Sequence, residues 1–288
     1  MQFANHHAHS HFSDGRLSPE DYLQEALRQG LHTYGFSDHA PIPNATFGAM
    51  KLEKLSDYLQ EIDRLKEQYR GKIEVYKSLE VDYIPGLISP GSAHIQAAQL
   101  DYTIGAVHFV GQFADGLYWG FEHSRPHFEK GVREIYGGDY QLAMQTYYGL
   151  IRTMVQEYRP TIVAHLDRIK KWNRNGEYYD ENSDWYQAEV VATLELIAQS
   201  GAILEVNTKG YYSQETVEPY PGKWALAKAH EMNIPVHLSS DAHHPDNITK
   251  GFEFGAALLQ EVGYNTYQVL LEGVWQPIAW AERKVYAL

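Results

Sequence analysis

Short apolar runs alternate along the chain with stretches in which apolar residues recur every three or four positions. The short runs have the length and side chains of buried strands, and the periodic stretches are typical of amphipathic helices. This alternation predicts an α/β fold in which parallel strands are each followed by a helix. Seven candidate strands stand out: Phe3 to His9, Thr33 to Ser37, Ile73 to Val81, Tyr102 to Val107, Ile162 to Ala164, Ile203 to Asn207 and Pro235 to Ser239.

The first candidate helix has the clearest ends. Ser18 is placed to cap it, Pro19 stands at its first position, and Gly30 ends it. No linker, repeat or low-complexity segment divides the chain, so we expect a single domain over residues 1–288. Helical periodicity also occurs in Leu52 to Tyr69, Asp139 to Tyr158, Asp184 to Gln199, Trp224 to Met232 and Phe252 to Val262.

Two long segments rich in aromatic and polar residues follow predicted strands, at residues 111–138 and 170–182. In barrels of parallel strands, the loops after the strands build the active site. We therefore expect these two segments to be loops that contact a substrate.

Composition narrows the class of function. The formal net charge is −13 and no run of lysine or arginine occurs, which argues against wide contact with nucleic acid or with an anionic membrane. No apolar run is long enough to span a bilayer, and Met1 to Phe12 lacks the layout of a signal peptide. The chain has no cysteine, so it has no disulfide framework, and a cytoplasmic location is our default expectation.

Histidine and carboxylate side chains occur at the ends of the predicted strands. His7 and His9 lie two positions apart at the end of the first strand, where side chains of a strand point to the same face. Asp241 and His243 repeat this spacing after the last strand. The other strand ends carry Asp14, Asp38, His39, Glu80, Asp82, His108, His165, Asp167 and Asn207.

The carboxyl ends of successive strands converge on one face of a barrel, so these side chains are expected to meet. Imidazole with carboxylate suits Zn, Fe or Mn, and the pattern indicates a metal site. Any single one of them, such as His108, is equally well explained as an ordinary core residue. His6 and His11 point away from the His7 and His9 face, so we do not expect them to bind metal.

The ordered set of motifs resembles the polymerase and histidinol phosphatase (PHP) superfamily, and within it the bacterial histidinol-phosphate phosphatases. The resemblance extends from Asn5 to about Ala256. Assignment to the histidinol phosphatase branch depends mainly on Leu79 to Gly86, Asn207-Thr208 and Glu218 to Pro221. The remaining motifs are His7 to Ser10, Ser13 to Gly15, Ser37 to Ala40, Val107 to Phe109, Ala164 to Asp167 and Ser240 to His243.

The resemblance implies a distorted, TIM-like (β/α)7 barrel that holds two or three divalent ions of Zn, Fe or Mn. Glu80 would bridge two of the ions. Asp14 stands where some relatives have a histidine. Carried over position by position, the metal ligands are His7, His9, Asp14, His39, Glu80, His108, His165, Asp241 and His243.

The resemblance also implies the reaction. The metals would lower the pKa of water to supply a hydroxide that attacks phosphorus, so no protein nucleophile is needed. The substrate would be a small phosphate monoester, L-histidinol phosphate in the first place. Arg168 and Lys171 are candidates for binding its phosphate, with a surface cluster at a helix start as the alternative.

Asp38 and Asp167 adjoin proposed ligands and are candidates for orienting imidazoles, although a solvated loop acid is an equal alternative. Two other functions stay open from the sequence. One is a phosphatase or phosphodiesterase of the same superfamily that acts on another small phosphate. The other is a noncatalytic module that metal ions stabilise. The sequence leaves the oligomeric state open.

Overall fold

The computed structural model describes residues 3–43 and 48–280. Each predicted strand position except the first contains a regular strand, and further strands follow Val107 and Tyr264. The strands are β1 (Thr33–Phe36), β2 (Glu74–Lys77), β3 (Glu80–Asp82), β4 (Ile104–Ala106), β5 (Phe109–Gln112), β6 (Tyr118–Gly120), β7 (Ile162–Val163), β8 (Ile203–Asn207), β9 (Val236–Ser239), β10 (Thr266–Leu271) and β11 (Val274–Ala279).

The helices confirm the periodic stretches. Ser18 caps the first helix by accepting from Asp21 N, and Asp21 accepts in return from Ser18 N. The α-helices are α1 (Pro19–Arg28), α2 (Leu55–Gln68), α3 (Ala93–Ala97), α4 (Arg125–Tyr136), α5 (Tyr140–Tyr158), α6 (Asp184–Ser200), α7 (Lys209–Tyr212), α8 (Lys223–Glu231) and α9 (Phe252–Glu261). Short 3-10 helices occur at Leu52–Lys54, Arg168–Trp172, Arg174–Gly176 and Pro245–Asn247.

The strands that carry the predicted site are parallel. A five-stranded sheet has the order β3-β4-β7-β8-β9, and β1 pairs with β2 in a separate parallel sheet. Isolated parallel bridges join His39, which follows β1, to Glu80 of β3, and Ala8 to Ala242, which follows β9. These bridges connect the two sheets and the first segment of the chain side by side. The carboxyl ends of these strands therefore lie toward the same side, as the sequence pattern predicts.

Two predictions about elements need correction. Phe3 to His9 is extended but forms isolated bridges, Asn5 with Tyr34 and Ala8 with Ala242, instead of a regular strand. Residues 111–138, interpreted as one loop, contain the end of the antiparallel β5–β6 hairpin and helix α4. The hairpin is anchored by Trp119, which is fully buried against α4 and donates to His127 O at 3.2 Å.

The β10–β11 hairpin packs against the amino-terminal ends of the first strands. Thr33 donates its hydroxyl to Leu270 O at 2.9 Å, and Glu272 N donates to Glu74 at 2.8 Å. Tyrosine and aliphatic side chains fill the core between strands and helices. Within residues 3–43 and 48–280, no helix combines the length and the apolar character that crossing a membrane requires.

Close packing around Gly35 positions the segment that carries His7. Gly35 N donates to Asn5 O at 2.9 Å, and the Tyr102 hydroxyl donates to His6 O at 2.5 Å. A Cβ on Gly35 would overlap the Tyr102 hydroxyl and lie 3.2 Å from His6 Cα. A larger residue at this position would therefore displace the segment.

We predict that Gly35→Ala destabilises the protein by about 1–3 kcal/mol, because overpacking forces side chain and backbone to shift. Urea unfolding followed by circular dichroism measures the change. The matched control is Gly149→Ala in α5, where the nearest atom to a new Cβ is Arg152 Nη2 at 3.9 Å. This control should be neutral or stabilising, since alanine favours a helix interior. Equal midpoints for Gly35→Ala and the unaltered protein would contradict the packing argument.

Candidate metal centre

The extended segment at the start of the chain directs two imidazoles into one cavity. His7 and His9 are both fully buried, and their Nε2 atoms lie 3.1 Å apart. The bridge between Ala8 and Ala242 holds the residue between them against the end of β9. The i, i+2 spacing thus places both rings on one face, as the sequence predicts.

Glu80 lies at the centre of the imidazoles. It is the first residue of β3 and is 1% exposed. Each of its carboxylate oxygens faces a different group of rings. Oε2 lies 3.1 Å from His39 Nδ1, 3.4 Å from His7 Nε2 and 3.5 Å from His9 Nε2, and Oε1 lies 3.0 Å from His165 Nε2 and 3.5 Å from His108 Nε2.

Asp241, His243 and Asp14 complete the cluster on the side of His9. Asp241 Oδ1 lies 3.1 Å from His9 Nε2 and 3.4 Å from His243 Nδ1. Asp14 Oδ1 lies 3.2 Å from His243 Nε2 and Oδ2 lies 3.9 Å from His39 Nε2. Asp14 is the most exposed member, with 37% of its side chain accessible.

The structure brings together all nine side chains that the sequence singled out as metal ligands. Three groups have donor atoms within 4.8 Å of one another: His9, Asp14, His39 and His243; His7, His9 and Asp241; and His39, Glu80 and His108. His165 joins the last group through Glu80 and through His108 Nε2, which lies 3.2 Å from its own Nε2. Such groups have the donor types and spacing that a divalent ion requires.

Carboxylates behind two of the rings fix the tautomers. Asp82 Oδ1 accepts from His108 Nδ1 at 2.9 Å, and Glu205 accepts from His7 Nδ1. Each ring therefore points its Nε2 toward the cluster, which is the orientation that metal binding needs. This donor set fits divalent ions.

The prediction that Asp38 and Asp167 orient imidazoles is wrong for both residues. Asp38 accepts from the backbone and hydroxyl groups of Ser10 and Ser13. Asp167 pairs with Lys170 at 2.7 Å and accepts from Gly222 N at 3.0 Å. Both carboxylates fix loops beside the cluster instead of its rings.

Asp82 and Glu205 orient the imidazoles instead, the role that we predicted for Asp38 and Asp167. Glu205 lies in the apolar strand β8 and is fully buried, where it also accepts from His165 N at 2.8 Å. A carboxylate within an otherwise apolar strand is rarely buried without a partner. That signal was available in the sequence, but the sequence alone did not reveal which imidazole each carboxylate would meet.

The pKa shifts follow from the crowding of imidazoles and carboxylates. Burial alone would lower the pKa of His108, but Asp82 and Glu80 outweigh it and raise the pKa to about 10. Burial and the nearby His243 and His39 lower the pKa of His9 to about 3. Burial would raise the pKa of Glu205, yet His7 lowers it to about 2. Glu205 is therefore ionised and His9 is neutral, whereas His108 has to lose a proton before its Nε2 can bind a cation.

Arg168 and Lys171 lie at the edge of the cluster, in the 3-10 helix after β7, and both face carboxylates. Arg168 donates Nε and Nη2 to Glu122 Oε2 at 2.8 and 2.5 Å. Its Nη1 lies 3.2 Å from Glu215 Oε2, and Lys171 Nζ lies 3.0 Å from Glu215 Oε1. Neither Glu122 nor Glu215 was singled out by the sequence.

Lys209 is a cation at the centre that the sequence analysis missed. Its Nζ lies 3.2 Å from Asp241 Oδ1 and 3.1 Å from His243 Nδ1. The residue follows the end of β8 at Asn207, in the same position relative to its strand as the predicted ligands. Lysine is not one of the residue types that bind Zn, Fe or Mn, so the pattern of ligands at strand ends does not mark it.

Comparison with known proteins agrees with the geometry. The family model described as PHP domain matches residues 5–209. A "probable histidinol-phosphatase" of Deinococcus radiodurans is 31% identical over 253 residues, covering 86% of this chain and 89% of that protein. The histidinol-phosphatase of Bacillus subtilis is 27% identical over 270 residues, covering 88% of this chain and 98% of that protein.

A solved structure supports the fold. The crystal structure of histidinol phosphate phosphatase from Lactococcus lactis, complexed with zinc, L-histidinol and phosphate, has a TM-score of 0.70 at 20% identity. It covers 96% of this chain and 99% of that one. The mixed α/β fold is thus shared with a histidinol phosphatase. The PHP match and the Deinococcus relative show that the chain belongs to the PHP domain family, in its histidinol-phosphatase branch.

Proposed function

We propose that this protein is a metal-dependent phosphatase that hydrolyses L-histidinol phosphate to L-histidinol and phosphate, a step of histidine biosynthesis. The observation that carries the proposal is the convergence of imidazoles and carboxylates on Glu80, in a chain of this family. The names of the relatives from Deinococcus and Bacillus support the substrate. The zinc, histidinol and phosphate in the Lactococcus structure support it as well.

We further propose that the chain forms one domain, over residues 1–288, built as a distorted (β/α)7 barrel. The separate sheets are linked by the bridges of His39 with Glu80 and of Ala8 with Ala242. A further bridge pairs Asn5 with Tyr34 of β1. In this barrel, the extended segment Phe3 to His9 takes the place of the first strand, which is not regular.

Two or three divalent ions, of Zn, Fe or Mn, would be held by the nine clustered side chains. Glu80 is placed to bridge, since its two oxygens face different groups of rings. Asp14 would serve a site near the surface with His9, His39 and His243. When bound, such ions polarise phosphoryl oxygens and lower the pKa of water to near neutrality.

The residues of the chain prepare the site for a phosphate. Asp82 and Glu205 keep His108 and His7 oriented with Nε2 toward the cluster. Lys209 lies against Asp241 and His243, where its ammonium is available to a phosphate oxygen. We propose that Arg168 and Lys171 also bind the phosphate, each with part of its charge balanced by Glu122 or Glu215.

The location and the partners are proposals as well. A small phosphate monoester is the partner that the site supports. The cytoplasmic location and the lack of a nucleic-acid or membrane partner stay predictions from the net charge of −13 and the lack of cysteine.

We predict that Glu80→Gln removes most of the bound metal and lowers phosphatase activity by at least about 100-fold, with the fold retained, because it deletes the shared charge. Mass spectrometry measures the metal content, phosphate release measures the activity, and circular dichroism checks that the fold is retained. Glu134→Gln, an exposed change of the same kind in α4, is the matched control and should change neither. Full metal content and full activity in Glu80→Gln would show that the Glu80 carboxylate is not needed to bind the metal ions.

We expect kcat/KM for L-histidinol phosphate to exceed that for 4-nitrophenyl phosphate and for other sugar or amino-alcohol phosphates by at least about tenfold. A metal cluster binds any phosphate, so the preference must come from contacts to the rest of the substrate. Phosphate release from a panel of esters measures it. Equal rates would indicate a generic phosphatase. No turnover of any monoester would favour a phosphodiesterase or a noncatalytic module.

Lys209→Met should raise KM for every monoester alike by roughly tenfold to a hundredfold, since a charged hydrogen bond to phosphate is lost. Of Arg168→Ala and Lys171→Ala, at least one should do the same with metal content unchanged. Steady-state kinetics over the ester panel give the comparison. Lys223→Met, at an exposed pair with Glu261, is the control for loss of a lysine. An unchanged KM in all three site variants would show that none of them binds phosphate.

A further inference from the structure

The β5–β6 hairpin returns the chain to the metal centre and places Glu122 there. Phe109, next to His108, pairs with Gly120, so the residues after β6 lie beside His108 again. Phe121 N donates to His108 O at 3.4 Å, and Trp172 Nε1 donates to Phe121 O at 2.9 Å. These contacts fix the backbone on the amino-terminal side of Glu122.

The two oxygens of Glu122 have different surroundings. Oε2 accepts both hydrogen bonds from Arg168, which is 4% exposed and lies over the Tyr220 ring. Oε1 lies 3.7 Å from His108 Nε2. Among residues 3–43 and 48–280, this buried oxygen finds no hydrogen-bond partner. Oε2 is thus occupied by Arg168, whereas Oε1 faces the metal centre.

Oε1 of Glu122 is buried without a hydrogen-bond partner among the described residues and lies next to the metal centre. A carboxylate oxygen in that position is unfavourable, and a cation that reaches it is correspondingly favoured. The site therefore offers a place for a positive charge next to the place for the phosphate.

We propose that Glu122 Oε1 binds the ammonium group of the substrate and so determines its specificity. This inference rests on the proposed function, because L-histidinol phosphate supplies the ammonium. Its amine is on the carbon next to the one that carries the ester oxygen, so a phosphate at the metal centre brings the amine close. The imidazole lies farther along the chain of the substrate.

The Glu122–Arg168 pair matches a substrate with opposite charges. Oε1 of the Glu122 carboxylate would face the ammonium. Arg168 contacts the other oxygen, Oε2, and so fixes the position of the carboxylate. Nη1 of Arg168 also lacks a hydrogen bond within the described residues, although Glu215 Oε2 is 3.2 Å away. A phosphate ester without an amine would leave Glu122 Oε1 buried and unpaired, which is how the site would discriminate against it.

The test compares L-histidinol phosphate with 3-(imidazol-4-yl)propyl phosphate, which lacks only the amine, on the metal-loaded enzyme. Glu122→Gln keeps the size of the side chain and its acceptor for Arg168 but removes the charge. We expect the ratio of the two kcat/KM values to fall by roughly tenfold to a hundredfold, with metal content unchanged. Glu129→Gln, an exposed glutamate that pairs with Arg125 in α4, should leave the ratio as it was.

Several results would overturn the inference. An equal loss on both esters would make Glu122 a positioning residue, and a loss of metal would make it a ligand. An unchanged ratio would show that the amine is recognised elsewhere while the proposed function stands. If the unaltered protein hydrolysed neither ester, the proposed function would fail and this inference with it.

A conservative variant keeps the test decisive if Glu122→Gln does not fold. Glu122→Asp retains the carboxylate, but the side chain is shorter by one methylene, so the charge lies farther from the ammonium. We expect the ratio to fall by a smaller factor than in Glu122→Gln, because the ammonium still meets a carboxylate at a longer distance. A ratio equal to that of the unaltered protein in this variant would also count against Glu122.

Discussion

The buried carboxylate of Glu80 is the interaction on which the rest of the site depends. A carboxylate that is 1% exposed is stable only if partners replace the water that it has lost. Here the partners are imidazoles from separate strand ends, and each lies within 3.5 Å of one oxygen. The sheets must therefore bring these ends together, and a shift of one strand would remove part of the compensation for this buried charge.

The surroundings of the centre extend that requirement outward. Glu205 contacts both His7 and the backbone of His165, and Ser239 of the next strand donates to it at 2.5 Å. Such a network has to be satisfied as a whole, since each member that lost its partner would be buried and unpaired. Because binding of a cation would compensate the charge of the buried carboxylates, we expect metal binding and folding stability to be coupled.

The order of the elements and the candidate ligands could be predicted from the sequence because both depend on local spacing. His7 with His9 and Asp241 with His243 have the period of a strand, and their position at strand ends needs only the βα alternation. Glu122 could not be predicted in this way. It reaches His108 through a hairpin inside a segment that we interpreted as a loop, so neither strand period nor strand end marked it.

The carboxylates behind the imidazoles show the same limit. Closeness in sequence suggested Asp38 and Asp167. Asp38 is adjacent to His39, and side chains of neighbouring residues on an extended chain point to opposite faces. Asp167 is two positions after His165, but it lies at the start of a 3-10 helix, where the strand period does not apply. Asp38 therefore turns toward Ser10 and Ser13, while the partner of His108 comes from β3, the strand next to β4 in the sheet. Sequence gives the types of side chain that a metal site needs, but the pairing between strands decides which of them meet.

An acidic protein that binds phosphate has to concentrate positive charge locally, and the distribution of ion pairs shows how it does so. With a net charge of −13, the surface as a whole repels a phosphate. Lys209 lies directly against Asp241 at the cluster, whereas Arg168 and Lys171 are paired with Glu122 and Glu215 at its edge. The edge is therefore close to neutral and carries both signs, so it attracts a zwitterion better than a simple anion. Discrimination among phosphate esters then depends on the edge, and attraction of the phosphate depends on the centre.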